Sequence, residues 1–353
     1  MVYRNCMTED RPSLDNHAPD SRTTAEVLTA EVSDEWSQSS TASVPPPRLA
    51  PEPRKRRVRL PLILLFLTCL STFWVGANHW FPTGIYLFDD TQNPLLARQM
   101  VLAYWDDGLL YMTCVLGILL AHEMGHFIAT VCYGIPASLP FVIPMPFMPL
   151  GTFGAVIGMD GRRADRKEIF DIGLAGPLAG LVVAIPIMIW GIMTLDLSLP
   201  RFGQFEFHNP LLVEMLLRWI KPAGFEPGMT IAVSQLNPFF MAGWVGLLVT
   251  GLNMMPVSQL DGGHVIYTLF GRRSRWIARG FVLLAIGYIT YTIIYTQEMS
   301  WILMLGLILL IGIDHPPTRD DSVKLGWFRY VLGIASLAIP VLCFAPQAIG
   351  IAK

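Results

Sequence analysis

Residues 108–134 read GLLYMTCVLGILLAHEMGHFIATVCYG, an apolar run that is interrupted by His122, Glu123 and His126. Ionisable side chains at the depth of a membrane are costly, and they usually mark a functional site. On a helix, His122 and His126 are four residues apart and therefore share one face. Two imidazoles at this spacing bind one zinc ion, and the adjacent glutamate acts as a general base. The run indicates hydrolysis inside a lipid bilayer.

The composition is that of a membrane protein. Of 353 residues, 53% are hydrophobic and only 15% are charged, whereas soluble proteins carry about 25% charged residues. The net charge of −2 gives no electrostatic basis for binding nucleic acid. The five cysteines are scattered and form no disulfide framework. We therefore expect an all-α polytopic protein whose surroundings are the lipid bilayer.

About seven transmembrane helices are predicted, because a span needs roughly 20 apolar residues. The candidate runs are 60–81, 108–133, 169–195, 236–256, 277–295, 301–313 and 327–344. With these spans the basic clusters at 54–59, 162–167 and 272–279 all fall on one side. Lys and Arg concentrate in cytoplasmic loops, so the N-terminus is predicted to be cytoplasmic.

The chain divides into four parts. Residues 1–53 are polar and rich in Ser, Thr, Pro and acidic residues, which predicts a disordered cytoplasmic tail. Residues 54–107 hold the basic block, the first transmembrane helix and an external loop. Residues 108–279 form a catalytic membrane core, and residues 280–353 supply accessory transmembrane helices.

A segment inside the core cannot be helical. Residues 140–159 are apolar but contain four prolines, which exclude a regular helix. Non-helical backbone at membrane depth is tolerated only against protein or a wet cavity. We predict a short re-entrant segment or β-hairpin here, near His122.

Two histidines do not complete a catalytic zinc site, which usually has a third protein ligand. Asp261, in NMMPVSQLDGGH at 253–264, is the best candidate, because it follows an uncharged span and reaches a depth similar to that of His126. Gly262 and Gly263 predict an irregular turn that aims the Asp261 carboxylate inward. His264 is expected beside the site without binding metal.

Three motifs together resemble the site-2 proteases, the intramembrane zinc metalloproteases of peptidase family M50. They are HEMGH at 122–126, Asn-x-x-Pro-x-x-x-Leu-Asp-Gly-Gly at 253–263, and FDIGLAGPLAG at 170–180. The resemblance extends over residues 108–279. For the glycines of the third motif we expect close packing between helices.

The resemblance implies a zinc metalloendopeptidase that cleaves membrane-spanning or membrane-tethered proteins in regulated intramembrane proteolysis. His122, His126 and Asp261 would hold one Zn²⁺ per chain, and Glu123 would be the general base. Asn253 would be a catalytic or substrate-binding hydrogen-bond donor. The family and the basic clusters favour a bacterial inner membrane, and a plastid membrane would leave similar marks. The oligomeric state stays open.

Two other classes of function remain. A membrane metalloprotease that trims loops outside the bilayer typically takes its third ligand from a glutamate shortly after HExxH, a pattern that is missing here. A non-enzymatic scaffold or metal carrier would use the histidines as a structural or transport site. Replacing Glu123 with Gln separates the carrier from the protease, because only the protease needs a base.

Overall fold

The computed structural model describes residues 58–80, 94–203, 205–257, 259–295 and 301–351. The predicted tail, residues 1–53, lies outside the described residues. Among the described residues, four helical stretches are long and apolar enough to cross a membrane, at Arg59–Ala77, Trp105–Cys132, Arg166–Met193 and Asp261–Tyr295, the last of which is interrupted at Gly271. Two shorter apolar helices lie at Pro238–Asn253 and Trp327–Cys343. The predicted membrane character is confirmed, and the count of seven spans stays a prediction.

The elements of the described residues follow in chain order. The helices are α1 (Arg59–Ala77), α2 (Pro94–Ala103), α3 (Trp105–Cys132), α4 (Arg166–Met193), α5 (Leu211–Ile220), α6 (Pro238–Asn253), α7 (Asp261–Phe270), α8 (Ser274–Tyr295), α9 (Ile302–Ile311), α10 (Trp327–Ser336) and α11 (Ile339–Cys343). The strands are β1 (Phe141–Met145), β2 (Gly151–Val156), β3 (Phe205–Phe207), β4 (Ile231–Ala232) and β5 (Ile349–Ile351).

Local sequence explains where the central helices begin. At α4 the side chain of Asp165 accepts hydrogen bonds from the backbone of Lys167 and Glu168, and Glu168 accepts one from the backbone of Asp165. This reciprocal arrangement satisfies backbone donors that a helix start leaves free. At α6 the side chain of Asn237 accepts from the Phe240 amide, and Pro238 occupies the first turn.

Helices α3, α4 and α6 pack closely through glycines. A Cβ added to Gly243 of α6 would lie 2.8 Å from the Met188 side chain of α4. One added to Gly246 would lie 2.7 Å from Ile118 of α3. Small residues let helix backbones approach where lipid offers no hydrophobic drive to associate. The three helices form the bundle that carries the candidate site.

The hairpin predicted over 140–159 is present. Strands β1 and β2 pair antiparallel from Phe141 opposite Val156 to Met145 opposite Gly151. Two hydroxyls anchor the connecting turn: Tyr111 of α3 donates to the Leu150 carbonyl at 2.7 Å, and Ser71 of α1 donates to the Gly151 carbonyl at 2.6 Å. The hairpin is therefore held beside α3, and its entry into the bilayer stays a prediction.

The all-α expectation is incomplete, because a second small sheet pairs β3 and β4, which lie between α4 and α6 in the chain, with β5, which follows α11. Its strand order is β4-β3-β5, and both pairings are antiparallel. The amphipathic helix α5 follows β3 and buries Val213 and Leu217. Strands of two or three residues are too short to show an alternating pattern, so the sequence gives no signal for them.

The predicted turn after Asp261 is wrong. Gly262 and Gly263 lie inside α7, which begins at Asp261. Gly262 is needed for close approach, since an added Cβ would lie 2.0 Å from the Met254 carbonyl oxygen at the end of α6. The break comes later, at Gly271, whose φ of +55° divides α7 from α8. The predicted 301–313 run contains α9, which has 10 residues.

Candidate metal centre

The two histidines of the HEMGH motif lie on one face of α3, opposite α4. His122 and Glu123 are buried, at 2% and 4% exposure, and His126 is partly buried. Between them, Gly125 lets the helices touch, because an added Cβ would lie 2.5 Å from the Ala175 carbonyl oxygen. The motif is therefore embedded in the contact between α3 and α4.

Asp261 brings a carboxylate to both imidazoles. Its Oδ2 lies 3.2 Å from Nε2 of His122 and 3.3 Å from Nε2 of His126. The three side chains each offer a ligand atom within 4.8 Å of the others. Two imidazoles and a carboxylate are the donor set of a catalytic zinc site that leaves one position open. The residues present fit a zinc ion.

The tautomer of His126 is set by α4. Its Nδ1 lies 2.7 Å from the carbonyl oxygen of Ile172, which accepts only. Nδ1 therefore carries the proton, and Nε2, which faces Asp261, keeps its lone pair for a metal. Bonds of this kind orient metal-binding histidines and raise their basicity.

His122 is held differently. Its Nδ1 is buried and has no hydrogen-bond partner among the described residues. Its Nε2 lies 3.3 Å from the side-chain nitrogen of Asn253, the last residue of α6. The orientation of this ring therefore depends on its contacts at Nε2 and on packing, to which Gly180 contributes, because a Cβ added there would lie 3.1 Å from Nδ1.

The FDIGLAGPLAG motif makes room for the imidazoles. A Cβ added to Gly176 would lie 2.0 Å from Nε2 of His126, and one added to Gly173 would lie 2.9 Å from the Cβ of His264. The expected close packing is confirmed, and it serves the site directly. The sequence shows the glycines but does not show which side chains they admit.

A cavity of about 120 Å³ opens beside the three ligand atoms. Glu123 and Asn253 line it together with the ligands, so all five predicted site residues meet there. Ala155, Val156 and Ile157, from β2 and just beyond it, form part of the wall. The hairpin thus borders the space in which a substrate would lie.

Two contacts with residues beyond the predicted core were not anticipated from the sequence. His264 lines the cavity, as expected, but its Nδ1 lies 2.6 Å from Nε2 of His315. Asp171, beside Ile172, is bound by Arg329 through two hydrogen bonds of 2.7 and 2.8 Å. Both partners lie far along the chain, and no local pattern marks them.

The sequence model that describes peptidase family M50 matches residues 110–294 of this chain. The chain belongs to this family. The match covers all three motifs and confirms the family predicted from them, a family of zinc metalloproteases. The predicted Zn²⁺ cofactor agrees both with the family and with the set of ligand atoms at His122, His126 and Asp261.

Curated plant proteins are similar to this chain. The probable zinc metalloprotease EGY1, chloroplastic, of Arabidopsis thaliana is 32% identical over 81% of this chain and 52% of its own length. Its namesake from Oryza sativa subsp. japonica is 32% identical over 81% of this chain and 50% of its own length. The probable zinc metalloprotease EGY2, chloroplastic, of A. thaliana is 28% identical over 67% of this chain and 42% of its own length.

The chain spans about half the length of the curated relatives it matches first. Their names place those relatives in chloroplasts, so the comparisons do not support the predicted bacterial inner membrane. The apolar helices support membrane association as such.

Proposed function

We propose that this protein is an intramembrane zinc metalloendopeptidase that cleaves membrane-spanning or membrane-tethered proteins. The observation that carries the proposal is the meeting of His122, His126 and Asp261 in a buried cavity that Glu123 also lines. Family membership supports the same chemistry. Release of a signalling fragment from the membrane, as in regulated intramembrane proteolysis, is the biological role that follows.

His122 and His126 would each hold the metal through Nε2, and Asp261 through its carboxylate. A bound zinc ion supplies a Lewis acid that makes water more acidic and polarises a peptide carbonyl. The chain contributes the geometry: α3 presents the imidazoles on one face, and the first residue of α7 presents the carboxylate opposite them.

Glu123 would take the proton from the attacking water and return it to the departing amine. Its position next to His122 places it on the wall of the same cavity. Asn253 donates from its side-chain nitrogen, and that donor already lies at the site, 3.3 Å from His122. We assign it to the oxyanion that forms on the substrate carbonyl, or to the substrate backbone.

The substrate must be unwound, because the carbonyl groups of a helix are tied up in its own hydrogen bonds. Strand β2 belongs to a two-stranded sheet and lines the cavity at Ala155 and Val156. An extended peptide added to β2 would lie along the site, held by main-chain hydrogen bonds. We propose this strand addition as the mode of substrate binding.

The finer topology is part of the proposal. Seven spans, with 140–159 dipping toward the bilayer, would place the basic clusters and the N-terminus in the cytoplasm or its equivalent compartment. Residues 54–107 would hold the first span and its external loop, 108–279 the catalytic core and 280–353 accessory helices. Single cysteines introduced into the three basic clusters and labelled from each side of the membrane test this arrangement.

The metal content of the purified protein is the first test. We expect about one zinc per chain in the wild type and loss of zinc from single alanine variants at His122, His126 and Asp261, since a catalytic site has three protein ligands. Retention of zinc by Asp261→Ala would remove Asp261 from the ligand set. A folded wild type without metal would contradict the zinc site altogether.

Glu123→Gln distinguishes the protease from the alternative, a non-enzymatic scaffold or metal carrier. The substitution keeps the shape of the side chain and removes the base. If the protein is a protease, the variant keeps zinc but no longer cleaves a co-purified or co-expressed single-span substrate. If it is a carrier, the variant binds and transports metal as the wild type does. Unchanged cleavage by Glu123→Gln would exclude the assigned base.

Substrate unwinding has its own test. Reporter substrates with one transmembrane helix are compared, one with Pro or Gly near the cut and one with a continuous poly-leucine helix. We expect faster cleavage of the first, because its helix opens at lower cost. Equal rates would contradict the strand-addition step and leave the zinc chemistry untouched.

A further inference from the structure

Residues 314–329, here called the clamp segment, follow the part of the chain that matches the family model. The segment joins α9 to α10 and contacts α4, α7 and α8. Backbone bonds tie it to the start of α4: the Arg319 amide donates to Ala164 at 2.8 Å, and the Arg166 amide donates to Asp320 at 3.2 Å. It therefore lies against the start of α4, one of the helices that build the metal centre.

The C-terminal end of the clamp segment binds α4 at Asp171, next to Ile172, whose carbonyl group orients His126. Arg329 binds both carboxylate oxygens of Asp171, at 2.7 and 2.8 Å, and Tyr133 at the end of α3 donates to the same carboxylate. The next residue, Ile172, accepts from Nδ1 of His126. A bidentate arginine–carboxylate pair fixes direction as well as distance. Arg329 thereby holds the Ile172 carbonyl against α3.

The other end contacts the first two turns of α7. His315 stacks on Tyr267, with ring centroids 4.2 Å apart and planes 17° apart, and Tyr267 donates to Asp321. Nδ1 of His315 lies 2.5 Å from the Pro316 carbonyl, so it is the donor there, and Nε2 accepts from Nδ1 of His264 at 2.6 Å. Burial lowers the pKa of His315 to about 4, which agrees with a neutral ring.

We propose that the clamp segment is a positioning element of the metal centre. Arg329 fixes His126 through Asp171 and Ile172, and His315 fixes Asp261 through His264, three residues further along α7. The inference rests on the proposed zinc site. It assigns no contact with substrate to the clamp segment; its residues act on metal affinity through the ligands they orient.

The chain offers a matched control. Arg319 also pairs with acids of α4, Asp165 at 3.5 Å and Glu168 at 3.4 Å, but these pairs lie at the helix start. The Arg319 side chain is 57% exposed, against 28% for Arg329. An exposed ion pair contributes little, and no bond leads from Asp165 or Glu168 to a metal ligand among the described residues.

The experiment measures zinc affinity by competition with a chelator in lipid nanodiscs, on the full chain, with no substrate present. We expect Arg329→Met to weaken zinc binding by about tenfold or more, as loss of a supporting bond does at other metal sites. Arg329→Lys, which keeps one charged bond, should recover part of the affinity. Arg319→Met should stay within about twofold of the wild type.

The second arm is tested in the same way. His315→Ala should weaken zinc binding by about tenfold, and Asp314→Ala, which removes only the exposed pair with Arg279, should not. Wild-type zinc affinity in folded Arg329→Met and His315→Ala would overturn the proposal. If Arg329→Met does not fold, Arg329→Lys decides, because it loses the bidentate pair with Asp171; wild-type zinc affinity in that variant would overturn the role of Arg329.

The outcomes separate this inference from the proposed function. A wild type that holds no zinc defeats the metal centre itself. A wild type that holds zinc and cleaves nothing defeats the protease while the clamp variants still report on zinc. A wild type that holds zinc, together with Arg329→Met and His315→Ala proteins that hold it equally well, defeats the clamp alone.

Discussion

Helices α4 and α8 are both apolar and glycine-containing, yet their glycines have opposite surroundings. In α4, a Cβ added to Gly176 or Gly191 would lie 2.0 or 2.4 Å from atoms of a neighbouring helix. In α8, one added to Gly280 or Gly287 would meet nothing within 4 Å among the described residues. The comparison teaches that a glycine in a membrane helix has structural meaning only when its face is known.

The two helices also differ in burial, since 12 residues of α4 are buried against five of α8. In α8, Leu283 and Leu284 are 69% and 75% exposed, as expected of a helix that faces lipid. In α4, Ile172 and Met188 are almost fully buried, at 1% and 0%. Helix α4 is therefore the internal support of the site, and α8 is part of the periphery.

Gly176→Ala should have the largest effect. The new methyl group would overlap the metal-facing nitrogen of His126, so we expect zinc affinity to fall by about 100-fold or more. Chelator competition measures it, with Gly287→Ala as the control in the peripheral helix. Wild-type zinc affinity in Gly176→Ala would mean that His126 does not approach α4 as closely as the structure shows.

Gly191→Ala should come next. Its methyl group would lie 2.4 Å from the backbone nitrogen of Phe240, so α4 and α6 must separate. We expect a loss of about 1–3 kcal/mol in the free energy of unfolding, measured by denaturation in detergent micelles. Zinc affinity should fall less than in Gly176→Ala, because Gly191 lies about four helical turns along α4 from Gly176, the residue that contacts His126. A larger loss of zinc affinity in Gly191→Ala than in Gly176→Ala would contradict the assignment of Gly176 to the metal site and Gly191 to helix packing.

Gly180→Ala should have a moderate effect. An added Cβ would lie 3.1 Å from Nδ1 of His122, a contact that a small ring movement relieves. We expect zinc affinity to fall by less than about tenfold. An effect as large as that of Gly176→Ala would show that the ring of His122, which has no hydrogen bond at Nδ1 among the described residues, cannot move.

Gly280→Ala and Gly287→Ala should have the smallest effects. Both positions are open, and alanine favours helix over glycine, so the free energy of unfolding should stay level or rise by up to about 1 kcal/mol. Proteolysis of the reporter substrate should also be unchanged. A strong loss in either variant would reveal a partner that covers this face of α8.

Much of the candidate site was open to prediction. The four-residue spacing of His122 and His126 predicts a shared helical face, and that face does carry both imidazoles. Asp261 was predicted from the depth at which its span ends and from the motif around it, and the structure places its carboxylate 3.2 Å from His122. These predictions work because each depends on one helix or on the level at which a span ends.

Other features could not be predicted. Gly262 suggested a turn, yet it serves a close approach to Met254, since its backbone is helical. The β4-β3-β5 sheet joins strands too short to show a period. Arg329 and Asp171 are separated by 158 positions in the chain, and the sequence around each residue gives no sign that the two form a pair.

The sequence by itself determined that the protein lies in a membrane, that one helix face carries two imidazoles and a base, and that a later carboxylate lies at the same level. Only the tertiary structure decided which glycines admit the imidazoles, how Asp261 reaches them, and that Arg329 and His315 brace the elements behind them. The physical reason is one of range. Helical periodicity relates residues a few positions apart, whereas contacts between distant helices depend on side-chain packing at distances of a few ångströms, which no local pattern records.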